Sequence, residues 1–209
     1  MKVAIIGSGN VGSALADAAT RAGHQVTISS ADHAAAREVA TATGARLAAS
    51  NSEALEAADM AIVAIPADAF GDLVAELGGA LEGMTVVDVA NRPTPDPSRP
   101  GCASHAEEFQ AAAPTARVVK AINTVFSARQ ADPVVGGLRV DGYVAADDEE
   151  AKRTVLDFVE SIGFEPIDVG PLAVAQTLEG MGWLHIRLAS ENNWSWQSAW
   201  KLIGPTAAG

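Results

Sequence analysis

The stretch Val3-Ala4-Ile5-Ile6-Gly7-Ser8-Gly9-Asn10-Val11-Gly12 decides the fold. Four apolar residues read as a buried strand, and a complete G-x-G-x-x-G follows them directly. The glycines open an alanine-rich stretch, Asn10 to Ala22, that reads as a helix stopped by Gly23. Strand, glycine loop and helix in this order form the phosphate-binding turn of a dinucleotide site. Each glycine has its own task there. Gly7 permits the tight turn, Gly9 lets the backbone approach a pyrophosphate, and Gly12 allows close packing of helix on strand. The helix start adds amide donors and a favourable dipole for the anion, so Ser8, Asn10 and Val11 join the glycines as expected cofactor contacts.

Outward from this unit, short apolar runs alternate with amphipathic stretches, the pattern of parallel strands joined by crossover helices. Gln25 to Ser29 is the second strand. Asp32 is the expected N-cap of a helix to about Thr43, with Gly44 as its stop. Arg46–Ala48 and Met60–Ile65 read as strands, with a short helix, Asn51–Ala57, between them. Ala67–Leu77 is a helix closed by Gly78 and Gly79, and Thr85–Val89 is the next strand. Pro93, Pro95, Pro97 and Pro100 make Asn91 to Gly101 a loop. Ser104 and Glu107 form a capping box for a helix ending before Pro114. Val118–Ile122 is a buried strand, and another lies near Tyr143–Ala145. The acidic run Asp147 to Glu150 complements the dipole of a helix from Glu149 to Ile162. Phe164–Val169 is a last strand, broken by Gly170 and Pro171. A long helix, Leu172–Leu188, and a shorter one complete the chain.

Composition removes several classes of function. The 209 residues are 48% hydrophobic, enough for a real core. Fourteen Lys and Arg against 26 Asp and Glu leave a formal charge of −12, which would repel nucleic-acid phosphates. One cysteine, Cys102, forms no internal disulfide, and the four histidines have no metal-ligand spacing. With neither a signal peptide nor a membrane span in view, the expectation is a soluble cytoplasmic protein with no nucleic-acid, membrane or metal partner.

The end of the second strand reads the cofactor's ribose. A carboxylate there would favour NAD and repel the 2′-phosphate of NADP. Ser29, Ser30 and Ala31 occupy it, and two hydroxyls can donate to a phosphate, so NADP is favoured and NAD stays open. Asp32 could reach the ribose, but its place before an alanine-rich helix assigns it to the N-cap; His33 reads as an exposed helix-start residue. The nicotinamide end should lie beyond Ile65-Pro66, Val89-Ala90-Asn91 and Ile122-Asn123-Thr124. Asn91 and Asn123 are the positioning candidates, able to bond a carboxamide or a substrate carbonyl. Lys120 could act as a general acid, although a strand-edge lysine with its head in solvent is the expected case. None of these strand ends carries a His, Tyr or Glu. Hydride transfer to an alcohol or hydroxy-acid substrate needs a positioned acid or base, whereas transfer between two redox rings asks mainly for positioning. No residue is therefore assigned as catalytic, and a cofactor-to-cofactor reaction is favoured.

Ile5-Ile6-Gly7-Ser8-Gly9-Asn10-Val11-Gly12, Ala64-Ile65-Pro66, Lys120-Ala121-Ile122-Asn123-Thr124 and Asp168-Val169-Gly170-Pro171-Leu172, followed by Glu179, resemble the NADP oxidoreductases dependent on coenzyme F420. The resemblance covers nearly the whole chain. It implies an α/β fold, a Rossmann-type doubly wound parallel sheet with a small C-terminal α-rich domain. Residues 1–145 would bind the dinucleotide, while 146–209 would complete the cleft and carry a dimer interface. It implies a nicotinamide facing a deazaflavin in the cleft between the domains, and a homodimer; Ile65, Pro66 and Asn91, read from the strand ends, join the glycine loop as expected cofactor contacts. The founding members carry Ser-Arg where this chain has Ser30 and Ala31, a His where it has Asn123, and a Pro where it has Phe126. Coenzyme F420 is anionic, so Arg92, Arg99 or Arg129 would have to offset the acidic surface. The architecture also resembles the cytoplasmic reductase part of membrane ferric reductases, in which a flavin replaces the deazaflavin. The alternatives are reduction of a flavin or of a small imine or carbonyl compound, and a non-catalytic NADP(H) sensor.

Trp183, Trp194, Trp196 and Trp200 all fall near the C-terminus. Their expected uses are packing onto the sheet, then an oligomer interface, then a ring-stacking pocket, with His185 and Arg187 as possible interface polar groups.

Overall fold

Parity along the strands organises the molecule, whose computed structural model describes residues 1–92 and 103–204. Strand β1 (Lys2–Ile6) pairs in parallel with both β2 (Gln25–Ser29) and β4 (Met60–Val63). Val3 and Ile5 point to one face of the sheet, where they meet Leu15 and Ala19 of α1 (Asn10–Arg21). Ala4 and Ile6 point to the other, in a cluster with Leu55, Leu73 and Leu77. With both faces covered, the strands are apolar throughout rather than alternating.

The remaining elements follow in chain order. Helix α2 is His33–Thr43, β3 Arg46–Leu47, α3 Asn51–Leu55, α4 Phe70–Leu77, β5 Thr85–Asp88 and α5 His105–Ala112. After them come β6 Arg117–Ala121, α6 Ser127–Gln130, β7 Val134–Val135, β8 Leu138–Arg139, β9 Asp141–Ala146, α7 Glu149–Ser161, β10 Glu165–Asp168 and α8 Ala175–Glu191. The large sheet has the order β10-β9-β6-β5-β4-β1-β2-β3, the Rossmann arrangement with its reversal at β1. The six strands β1 to β6 run parallel; β9 enters antiparallel to β6, and β10 runs parallel to β9. The sheet is therefore mostly parallel, with a reversed pair at one edge, and a helical segment follows it. Helix α7 packs Val155, Phe158 and Val159 onto the same face as α1.

The local signals explain the helix starts. Asp32 accepts from the amides of Ala34 and Ala35 at 3.1 and 3.0 Å, so it is the N-cap of α2. Ser104 and Glu107 cap α5 reciprocally, and Asp148 caps α7. Several expectations need correction. The strand from Met60 stops at Val63, and the stretch from Ala67 begins with a 3₁₀ turn, Ala67–Ala69, before α4. Helix α8 runs to Glu191, and no shorter helix follows among the described residues. A two-stranded hairpin, β7-β8, precedes β9 and turns at Gly136 and Gly137, both at positive φ. The proline-rich loop with Arg99, and Cys102, lie outside the described residues.

Candidate functional site

The glycine loop sits where the strand order reverses, at the carboxyl end of β1, and the amide of Gly7 donates to the Ser29 carbonyl at 2.8 Å. Its three glycines answer to different constraints. Gly7 has φ +113°, and a Cβ there would lie 2.3 Å from the Ala64 carbonyl oxygen. At Gly12 a Cβ would lie 2.0 Å from the Gly7 oxygen. Gly9 is different, since a Cβ there would meet nothing within 4 Å. The fold needs Gly7 and Gly12 and is indifferent to Gly9, which faces open space where a phosphate could approach. The start of α1 has no side-chain cap and no acidic residue in its first turn, unlike α2, α3, α5 and α7, which Asp32, Ser50, Ser104 and Asp148 cap. Its first amides remain available to an anion.

At the end of β2 the two serines part company. Ser29 is buried, and its hydroxyl donates to Asn51 Oδ1 at 2.8 Å, so it does not face outward with Ser30 as expected. Ser30 is half-buried, and its hydroxyl accepts from the Asp32 amide at 3.3 Å. The His33 ring bonds the Ala49 carbonyl at 3.0 Å.

The carboxyl ends of β5 and β6 come together. Asn91 donates its Nδ2 to the Asn123 carbonyl at 2.8 Å, and Asn123 donates its Nδ2 to Asn91 Oδ1 at 2.7 Å. Just before Asn123, Ile122 has φ +61°, a left-handed conformation that is strained for a β-branched residue. Helix α8 crosses this pair at Gly182, where a Cβ would lie 2.9 Å from Asn91 Oδ1. Between these parts lies a cavity of about 280 Å³. Its walls are Asn10 and Val11 of α1, Val89 and Asn91 after β5, the turn from Asn123 through Ser127 with Gln130, and Gly182, Ile186 and Trp196. None of these residues is ionisable. The glycine-loop helix and both asparagines thus share one cavity, whereas Pro66 is exposed and does not line it.

Beneath the asparagine pair is a buried charged cluster that the sequence reading missed. Lys120 is fully buried, contrary to the expected solvent-facing head. Its cross-strand neighbour is Asp88. The ammonium donates to Asp88 Oδ2 and Glu179 Oε1, each at 2.9 Å, and to the Ala90 carbonyl. All three of its protons are engaged, which leaves none for a general acid. His105 Nδ1 bonds Asp88 Oδ2 at 2.9 Å, and its backbone amide donates to Glu179 at 2.8 Å. Burial alone would push the Asp88 carboxyl up. The Lys120 ammonium and the His105 bond outweigh burial and hold it below the usual carboxylate range. Asp88 was legible as a strand residue, but His105 and Glu179 lie 17 and 59 positions from the residues they bond.

The aromatic end is also tighter than expected. His185, read as an interface group, is buried; Nδ1 bonds the Thr124 carbonyl at 3.1 Å and Nε2 bonds Ser198 Oγ at 2.9 Å. Its ring stacks on Phe126 with centroids 4.0 Å apart, and Phe126 meets Trp196 edge-on at 5.0 Å. Burial holds the His185 imidazole below its ordinary value, and the Thr124 bond offsets only part of that. Trp183 donates to the Arg92 carbonyl, and Trp194 is half exposed. Arg187 is exposed and pairs with Glu191. Of the cations expected to offset the acidic surface, the two described ones are engaged: Arg92 with Glu108 and Glu179, Arg129 with Asp132 and Gln197. Among the described residues no cluster of His, Cys, Asp and Glu could hold a metal ion, and no helix is long and apolar enough to cross a membrane.

Comparison with known proteins agrees with this arrangement. The family model described as NADP oxidoreductase, coenzyme F420-dependent, matches residues 2–92. Metalloreductase STEAP3 of Rattus norvegicus is 31% identical over 181 residues, 86% of this chain, and the chain spans 36% of that relative's length. A crystal structure of a candidate F420-dependent NADP reductase from Arthrobacter sp. FB24 superposes with a TM-score of 0.84 at 26% identity, covering 97% of this chain and all of that one. The hypothetical protein SMa0349 from Sinorhizobium meliloti superposes at 0.73 with 32% identity, covering 83% and 86% of the two chains. Residues 2–92 thus match the model of the NADP oxidoreductases named for coenzyme F420, and the whole chain has the fold of the Rossmann oxidoreductases it resembles.

Proposed function

We propose that this chain passes hydride between NADP(H), held on Gly7 to Gly12, and a second redox ring seated in the cavity beside Asn91 and Asn123, with coenzyme F420 as that ring. The absence of an ionisable side chain among the described residues of the cavity wall carries the reading. Reduction of a carbonyl or imine leaves a localised negative charge that must be met by a positioned proton donor. A deazaflavin that accepts hydride spreads its charge over a pyrimidinedione, so the protein need only hold the two rings face to face. The nearby Lys120 and His185 are committed to internal bonds, which supports the same conclusion. In this reading residues 146–209 complete the cleft through α8. A homodimer would cover exposed apolar residues such as Val135, Leu138 and Ile203.

The metalloreductase relative favours one second reading, a flavin in the same seat. A metal ion takes electrons singly and hydride delivers two, so metal reduction by this chain would need a ring able to divide them. Thermal-shift and tryptophan-fluorescence titrations with NADPH, NADH, F420 and FAD, singly and in pairs, test both readings. Stabilisation by NADPH, with a further increment from F420, is expected. Stabilisation by NADPH and FAD but not F420 would replace the deazaflavin with the flavin. No response to either dinucleotide would overturn the proposal.

A further inference from the structure

Three of the four buried side-chain oxygens that lack a hydrogen-bond partner among the described residues belong to residues lining the same cavity: Asn123 Oδ1, Thr124 Oγ1 and Gln130 Oε1. These residues are 6%, 2% and 1% exposed. Their surroundings decide which atom is free. Gln130 Nε2 donates to the Val125 carbonyl at 3.1 Å, so flipping the amide would set oxygen against oxygen, and Oε1 is the unpaired end. The Asn123 carbonyl fixes the Asn91 amide by the same logic. Asn91 Oδ1 then fixes Asn123 Nδ2, which leaves Asn123 Oδ1 unpaired. The residues lining the cavity thus carry two buried, unpaired oxygens that can only accept and one hydroxyl that can accept or donate. Phe126, Ile186 and Trp196 supply apolar surface around them.

We infer that this cavity selects a ring carrying an amide-type N–H beside a carbonyl, and that Gln130 is a specificity-determining residue reading that N–H. The inference rests on the hydride-transfer reading and narrows its substrate class. Two sources share the chemistry: the carboxamide of a nicotinamide and the cyclic imide of a pyrimidinedione ring. A ketone, an aldehyde or an alkylated imine offers no N–H and would leave the buried acceptors unpaired, the situation in which binding sites discriminate most strongly. The cavity volume of about 280 Å³ is near the small end for ligand sites and suits one ring system.

Two pairs of probes test this by tryptophan fluorescence on the full chain. One pair is NADPH and its 3-acetylpyridine analogue, in which a methyl ketone replaces the carboxamide. The other is 5-deazalumiflavin and its N3-methyl derivative. At least one N–H-bearing probe should bind roughly tenfold or more tighter than its blocked partner. That ratio should fall towards one in Gln130→Met. Thr124→Val removes a hydroxyl with no partner among the described residues, so it should leave the fold intact and reduce the ratio. Discrimination within the dinucleotide pair assigns the carboxamide, and discrimination within the ring pair assigns the imide. Equal binding within both pairs, or a ratio unchanged in both variants, would overturn the inference while leaving the hydride-transfer reading in place. Failure of all four probes to bind would overturn both.

Discussion

Single residues divide here into those the fold requires and those it leaves free. A Cβ at Gly9 would meet no protein atom, so Gly9→Val should keep the melting temperature within about a degree or two while abolishing NADPH binding, because the side chain would fill the approach to the loop. Gly12→Ala should instead destabilise, since its Cβ would run into the Gly7 carbonyl. Thermal melts and NADPH titrations of the two variants separate these roles. Lys120 is bound to the fold by charge. Lys120→Met would leave Asp88 and Glu179 buried without their ammonium and should cost about 3–5 kcal/mol in denaturant unfolding. Adding Glu179→Gln should recover part of the loss. Asp88, with its carboxyl held low, contributes stability above its unfolded value near pH 4 that is lost as the pH falls through its folded value.

The elements show why some of the site was legible in the sequence. The glycine loop could be read because its constraints are local: β1, the turn and α1 are contiguous, and each glycine answers to a neighbour or to open space. Asp32 could be read as a cap for the same reason. The pairing of Asn91 with Asn123 was half legible, as two strand ends, but its geometry depends on the left-handed turn at Ile122 and on the passage of α8 at Gly182. The buried partners of Lys120 were not legible, because periodicity marks a position as buried without saying what meets an ammonium there. The β7-β8 hairpin did leave a signal in Gly136-Gly137 between apolar pairs. Helix α8 carries its own test. Gly180 is exposed with nothing near its Cβ position, so Gly180→Ala should stabilise by about 0.8–1 kcal/mol through helix propensity. Gly182→Ala should lower the melting temperature despite the same propensity gain, because it displaces the Asn91 amide. Equal shifts in the two variants would contradict the packing described.

At the scale of the whole molecule, Glu179 ties α8 to Lys120 of β6, His185 ties it to the turn after β6, and Arg129 of α6 bonds the tail beyond it at Gln197. His185 makes that closure sensitive to pH. Burial disfavours its protonated form in the fold, so below about 6.5 the unfolded chain takes up a proton that the folded chain resists, and stability is lost as the pH falls. The melting temperature should therefore decline between pH 7 and 5 more steeply in the wild type than in His185→Gln, since His24 and all other groups are common to both. The closed cleft should bring a nicotinamide and a second ring together without an acid or base between them. The most direct test is to mix the protein with NADPH deuterated at the transferring C4 position and coenzyme F420, then follow F420 bleaching and the fate of the label. Direct passage of deuterium to the deazaflavin ring, without wash-out to solvent, is the predicted result. NADPH that binds but yields label to neither deazaflavin nor flavin would contradict a two-ring hydride transfer.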